Sequence, residues 1–247
     1  MAGYRLTSFH GILGIYEIPI VAQYLLSVIL ITGVINAFNL MDGIDGLAGG
    51  LMLIGFMILA TISYYIGHEF YTLLCLIVMG SLISFLRFNV FSNNHKIFMG
   101  DAGSLFLGFL MIGIAIDLIN IASKDSIGDE VIWLLPLIIA VFIIPVVDSL
   151  RVYFTRIKNG NSPFKADRSH IHHLFLELGL KHTKVTFIIS MLSLSLVIIA
   201  FLFHFIWTLD IILLGIVAML SIMYYILNIN KQVNEWQQKI KQMESQM

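Results

Sequence analysis

Cysteine is almost absent. Cys75 stands alone in 247 residues, which excludes an internal disulfide framework. Charge is nearly as scarce: Asp, Glu, Lys and Arg make up 12% of the chain and leave a net charge of −1, so no basic surface suited to nucleic acid is expected. The first 17 residues lack a continuous apolar run and carry Arg5, His10 and Glu17, so no cleavable signal peptide is expected either. No internal repeat is evident.

Apolar residues fill the space that charge leaves. They make up 59% of the chain and give a mean hydropathy of +0.93, where soluble domains run near about 45–50% apolar and about 25% charged. The apolar residues fall into seven runs, near 18–38, 49–67, 70–87, 103–121, 131–150, 185–205 and 209–228. Each is long enough to cross a bilayer, and a chain in lipid must pair its own backbone groups, so each should be an α-helix. The runs are too long and too evenly apolar for barrel strands. The expected fold is all-α, a polytopic transmembrane bundle of about seven spans over residues 1–228. A tail at 229–247 follows, in which Ile229, Val233, Trp236, Ile240 and Met243 form a narrow apolar stripe on a polar, cytoplasmic helix.

Basic residues set the orientation. Of the 14 Lys and Arg, only Arg5 and Lys124 fall on one side of the seven spans; the other twelve lie in 39–48, 87–102, 151–184 and the tail. The basic side should be cytoplasmic. The stretch "YRLTSFHGILGIYEIP" then forms an extracytoplasmic loop or hairpin.

Three connections on the basic side hold most of the unusual polar residues. In "FNLMDGIDGLAGG", Asp42 and Asp45 are i and i+3, side by side if the segment is helical, and would repel unless a cation or proton intervened. Such carboxylates suit Mg²⁺, which takes few protein ligands and keeps waters and substrate phosphates; helix capping is the plainer alternative. In "KIFMGDAGS", Asp101 opens a span, where a carboxylate also suits the helix N-terminus, Lys96 offers a charge to a phosphate, and Phe98 offers a flat ring to a base or sugar. In "DRSHIHHLFLELG", His170, His172 and His173 stand beside Arg168. Zinc is one reading, but with no cysteine near and carboxylates as partners, a pyrophosphate grip or a solvated loop competes with it. Asp148 should pair with Arg151 three residues on, in a structural role.

Taken in order, "INAFNLMDGIDGLAGG", "KIFMGDAGSLFLGF" and "PVVDSLRVYFTRIKNGNSPFKADRSHIHH" resemble the polyprenyl-phosphate N-acetylhexosamine-1-phosphate transferases over roughly residues 4 to 205. The resemblance implies transfer of a sugar-1-phosphate, GlcNAc-1-phosphate before others, from a UDP-N-acetylhexosamine to undecaprenyl phosphate at the cytoplasmic face of the bacterial inner membrane. UMP would be released and cell-envelope glycan synthesis begun. It further implies Mg²⁺, with Mn²⁺ as the substitute, held by Asp101, Asp42 and Asp45. Asn39 would belong to the nucleotide and metal pocket, and Phe98 would stack on uracil. Lys96 would meet phosphate, and His170, His172, His173 and Arg168 would contact the diphosphate or sugar, with Arg156 an addition. Asp42, Asp45, Asp101 and His170 carry the expected catalytic roles. Membrane lipid surrounds such an enzyme, and a homodimer stays open.

One family feature has no counterpart. The family carries an acidic DDxxD-type motif on an earlier cytoplasmic segment and ten or eleven spans; here no two aspartates are adjacent, and seven spans are counted. The expectation is of a chain matching the C-terminal two-thirds of such an enzyme. A non-catalytic UDP-sugar-binding protein is the main alternative, and a transporter a weaker one, since the polar residues gather at one face rather than mid-span.

Overall fold

The computed structural model describes residues 5–9, 14–92, 94–124, 131–163, 169–204 and 209–244. Its helices are α1 (Ile20–Met41), α2 (Leu47–Tyr65), α3 (Glu69–Val90), α4 (Gly100–Lys124), α5 (Val131–Lys158), α6 (Ile171–Glu177), α7 (His182–Phe203) and α8 (Leu209–Glu244). All except the short α6 contain a stretch long and apolar enough to span a membrane, seven in all, and among the described residues there is no named strand. The protein is an all-helical, multi-pass membrane protein.

The spans alternate in direction, so α1, α3, α5 and α8 finish at the end where α2, α4 and α7 begin. That end carries the 42–46 turn, the 91–99 connection and α6, and it is called the site end below. α2 is a central helix, packing against α3, α4, α5 and α7 as well as α1. Leu47, Leu51, Met52, Phe56 and Leu59 are fully enclosed along it. The outer helices keep apolar side chains on the surface, among them Val21 and Leu25 on α1 and Ile77 on α3. In water such a surface would aggregate; in lipid it costs nothing, because the tails are as apolar as the side chains. Helix α8 turns Ile212, Ile216, Leu220, Tyr224 and Leu227 inward, a stripe at helical spacing that packs on α5, α6 and α7. It then continues without a break through the stretch expected to form a tail helix.

The N-terminal stretch sits at the opposite end. Ser8 and Glu17 form an antiparallel bridge, in keeping with a hairpin. The Leu6 amide donates to Ser27 Oγ at 2.8 Å, and Asn120 Nδ2 donates to the Arg5 carbonyl at 2.9 Å, tying this stretch to α1 and α4.

Candidate functional site

The segment from 42 to 46 is a turn between α1 and α2, not a continuous helix, and that decides where its carboxylates go. The turn closes on Gly46, whose φ of 76° is left-handed, and whose missing Cβ would stand 2.5 Å from Val90 Cγ2. The Gly46 amide donates to the Asn89 side-chain oxygen at 2.7 Å, and Asn89 Nδ2 donates to the Ile97 carbonyl at 2.8 Å. Buried Asn89 therefore clamps the 42–46 turn to the 91–99 connection. Sequence reasoning passed over this residue, whose only local signal is an amide inside an apolar helix.

Asn39 and Asp42 lie at the end of α1. Ser104 Oγ donates to Asn39 Oδ1 at 2.6 Å, which draws the first turn of α4 against the last turn of α1 and sets Asp101 near Asp42. Burial, and after it the negative charge of Asp101, pushes the Asp42 carboxyl up to about 6. Asp45 points elsewhere. Its carboxylate pairs with Lys96 Nζ at 2.6 Å, lies 3.8 Å from His182 Nδ1, and its backbone carbonyl accepts from Thr186 Oγ1 at 2.6 Å.

The side-by-side arrangement of Asp42 and Asp45 therefore does not occur: the turn splays them, one toward α4 and the other toward Lys96 and α7. Among the described residues no three His, Cys, Asp or Glu side chains gather closely enough to hold a metal by themselves. Asp42 and Asp101 form the carboxylate pair. Their repulsion fits a hard cation that takes two protein oxygens and completes its shell with water and phosphate.

Lys96 Nζ also lies 5.7 Å from the centre of the Phe98 ring, and that ring is 74% exposed, open to a planar ligand.

The histidines are set differently from one another. The Asp148 carboxylate, wholly buried on α5, accepts from Arg151 Nη2 at 3.1 Å, as the spacing predicts. It also accepts from His170 Nδ1 at 2.8 Å, the Ile171 amide at 3.0 Å and the Tyr224 hydroxyl at 2.9 Å. The His170 and His172 rings stack with centroids 6.0 Å apart, and His173 lies 4.2 Å from His172. His172 presses against the turn, where a Cβ on Gly43 would come within 2.7 Å of its Nε2. Burial, reinforced by His173, holds its imidazole down at about 3, so it is neutral. Among the described residues, neither nitrogen of His172 nor Nε2 of His170 finds a hydrogen-bond partner. Buried polar atoms are rarely left so, and three together have room in their hydrogen bonding for a ligand or an ordered water. Both rings are closed off from solvent, so a ligand reaching them displaces a ring or the turn.

Arg156 is buried and donates to the Pro163 carbonyl at 2.5 Å, bracing the 159–163 segment rather than opening onto the site. Arg168 lies outside the described residues. Sequence reasoning missed Asn89, His182 and Tyr224. Tyr224 sits in an apolar span, 76 residues from the carboxylate it meets.

A multi-pass helical membrane protein whose connections bring carboxylates, a lysine and histidines to one end is the class that fold and site define. Residues 1–119, just under half of the chain, match the model of glycosyl transferase family 4. The chain is 31% identical over 179 residues, 72% of its length and 45% of the relative's, to an undecaprenyl-phosphate alpha-N-acetylglucosaminyl 1-phosphate transferase of Escherichia coli (strain K12). The Yersinia pestis protein of the same name is 30% identical over 71% of this chain and 47% of its own. A decaprenyl-phosphate N-acetylglucosaminephosphotransferase of Mycobacterium leprae is 32% identical over 68% of this chain and 45% of its own. The chain thus spans about half the length of the curated relatives it matches.

Proposed function

We propose that this protein transfers N-acetylhexosamine-1-phosphate, with GlcNAc-1-phosphate first in line, from a UDP-sugar to undecaprenyl phosphate. The observation that carries the reading is a pair of facing carboxylates, Asp42 and Asp101, beside buried histidines whose ring nitrogens lack partners. One half of that arrangement calls for a cation and the other for a polar ligand, and a metal-bound diphosphate supplies both. The printed names of the relatives point to the same donor group and the same acceptor class.

In the reaction an oxygen of the acceptor phosphate bonds to the sugar-bearing phosphorus, the bond from that phosphorus to the UMP oxygen breaks, and UMP leaves. Such a transfer depends mainly on positioning and on charge neutralisation. Phe98 stacks on the uracil from its exposed position, and Lys96, beside it, meets a phosphate oxygen on leaving Asp45. Asp42 and Asp101 would hold Mg²⁺, or Mn²⁺ in its place, which when bound neutralises the diphosphate charge. His170 and uncharged His172 face the diphosphate or sugar. The site end is the cytoplasmic face of the bacterial inner membrane, because twelve of the 14 Lys and Arg lie in the connections there and in the adjoining tail.

The test is a reconstituted assay with radiolabelled UDP-GlcNAc, undecaprenyl phosphate and Mg²⁺. Lipid-linked sugar phosphate and an equal amount of UMP are expected. Binding of UDP-GlcNAc without either product would reject the transferase reading in favour of a non-catalytic binding protein. Ion flux without nucleotide binding would point to a transporter.

A further inference from the structure

The Asp148 network draws in Tyr224 from α8, a helix that no quoted motif includes. Both Asp148 and His170 are buried, so the contact between them is shielded from water, and its geometry assigns hydrogens. Arg151, the Ile171 amide and the Tyr224 hydroxyl all donate to one carboxylate oxygen, Oδ1. The other oxygen, Oδ2, accepts from His170 alone. A carboxylate beside a guanidinium is ionised and can only accept, so His170 must donate from Nδ1. In the neutral ring that leaves Nε2 as a lone pair, and it is the atom that has no partner.

We infer that Asp148 and Tyr224 are positioning residues. Together they fix the tautomer and orientation of His170, presenting Nε2 to the phosphate-bearing ligand and making α8 part of the site. The inference rests on the proposed transferase reading for what His170 meets, but not for how His170 is held. Three parts of the chain converge on one carboxylate: α5 through Asp148 and Arg151, the start of α6 through His170 and Ile171, and α8 through Tyr224. Arg151 adds a second tie to α8, since its guanidinium carbon stands 4.5 Å from the centre of the Tyr224 ring. A tyrosine serving only to fill space would need no hydroxyl at this point, whereas this one contributes a donor to a fully enclosed anion.

Two substitutions separate positioning from packing. In Asp148→Asn the amide oxygen can still accept from Arg151, Ile171 and Tyr224, but the NH₂ then faces His170 Nδ1, and the ring must turn over to the Nε2–H tautomer. Tyr224→Phe removes one donor and leaves the ring packed. The readouts are kcat and KM in the reconstituted assay, and the ¹⁵N spectrum of histidine-labelled protein in detergent, with the His170 signal identified by its loss in His170→Gln.

In the unsubstituted protein His170 is expected as the Nδ1–H tautomer. Asp148→Asn should reverse it and lower kcat by about 10²-fold with KM changed less than about threefold, the scale on which a misaligned charge-stabilising or proton-handling group is felt. Tyr224→Phe should lower kcat by about three- to tenfold at an unchanged melting temperature. An Nε2–H tautomer in the unsubstituted protein would overturn the inference, and so would Asp148→Asn protein that stays folded with both kcat and spectrum unaltered. If the unsubstituted protein binds UDP-GlcNAc but transfers nothing, the transferase reading falls by itself. The positioning of His170 is then decided by the spectra, standing if the tautomer reverses in Asp148→Asn and falling if it does not.

Discussion

Gly43 and His172 touch because Gly43 has no side chain: a Cβ built there would lie 2.7 Å from Nε2 of the imidazole. Position 43 therefore sets how closely α6 approaches the turn that carries Asp42. Gly43→Ala should push the ring aside, costing about 1–3 kcal/mol in overpacking and weakening UDP-GlcNAc binding about tenfold. Thermal unfolding and calorimetric titration measure the two effects. Gly80→Ala is the control, since no atom comes near a Cβ there, and it should change neither. Normal binding in Gly43→Ala would mean that the His172 contact has no bearing on the ligand.

The same histidine predicts acid sensitivity. In the folded protein its imidazole is held at about 3, against 6.5 when free. The unfolded chain thus binds a proton that the folded chain refuses, and stability is lost as pH falls from 6.5 toward 3. The full contribution is about 5 kcal/mol by the size of the shift. His172→Gln should flatten the fall in melting temperature between pH 6.5 and 4.5, whereas an equally steep fall in that variant would place the acid sensitivity elsewhere.

Asp42 has the opposite sign. Its carboxyl, raised to about 6 by burial and Asp101, holds its proton more tightly folded than unfolded, so stability falls as pH rises from 3.8 through 6 and stays lower above. Asp101→Asn removes the charge repulsion and, at pH 7.5 without divalent cation, should melt slightly higher, by about 1 kcal/mol or less for a pair half open to solvent. The same variant should lose the stabilisation that Mg²⁺ gives the unsubstituted protein and its Mg²⁺-dependent nucleotide binding. Undiminished Mg²⁺ stabilisation would remove Asp101 from the cation site.

Phe98 is exposed enough to stack, with Lys96 Nζ 5.7 Å from its ring centre. Phe98→Ala should weaken UDP about tenfold, the worth of one stacked base, and leave pyrophosphate binding unchanged. Equal losses for both ligands would show that the ring acts on Lys96 rather than on uracil.

The spans were legible because lipid imposes a single local rule, and seven apolar runs correspond to seven long helices. The gathering of the three connections was legible too, since alternating spans leave them at one end. Partners within that end were not. Asp42 and Asp45 read as a pair because a helix would put i and i+3 together, but a left-handed glycine and the Asn89 clamp make a turn that splays them. Asp148 read as the partner of Arg151 alone, because its other side-chain partners, His170 and Tyr224, lie 22 and 76 residues away. Local spacing carries no record of contacts that distant.

Helix α8 runs unbroken for 36 residues, a length of about 54 Å in a layer whose hydrocarbon is about 30 Å thick. Residues 225–244 therefore form a rod continuous with the turn of α8 that grips Asp148. A rod transmits torque instead of absorbing it, and a twist of one residue, about 100°, carries the tyrosine oxygen off the carboxylate. One unbroken helix and two hydrogen bonds thus join Glu244, at the far end of α8, to the His170 ring.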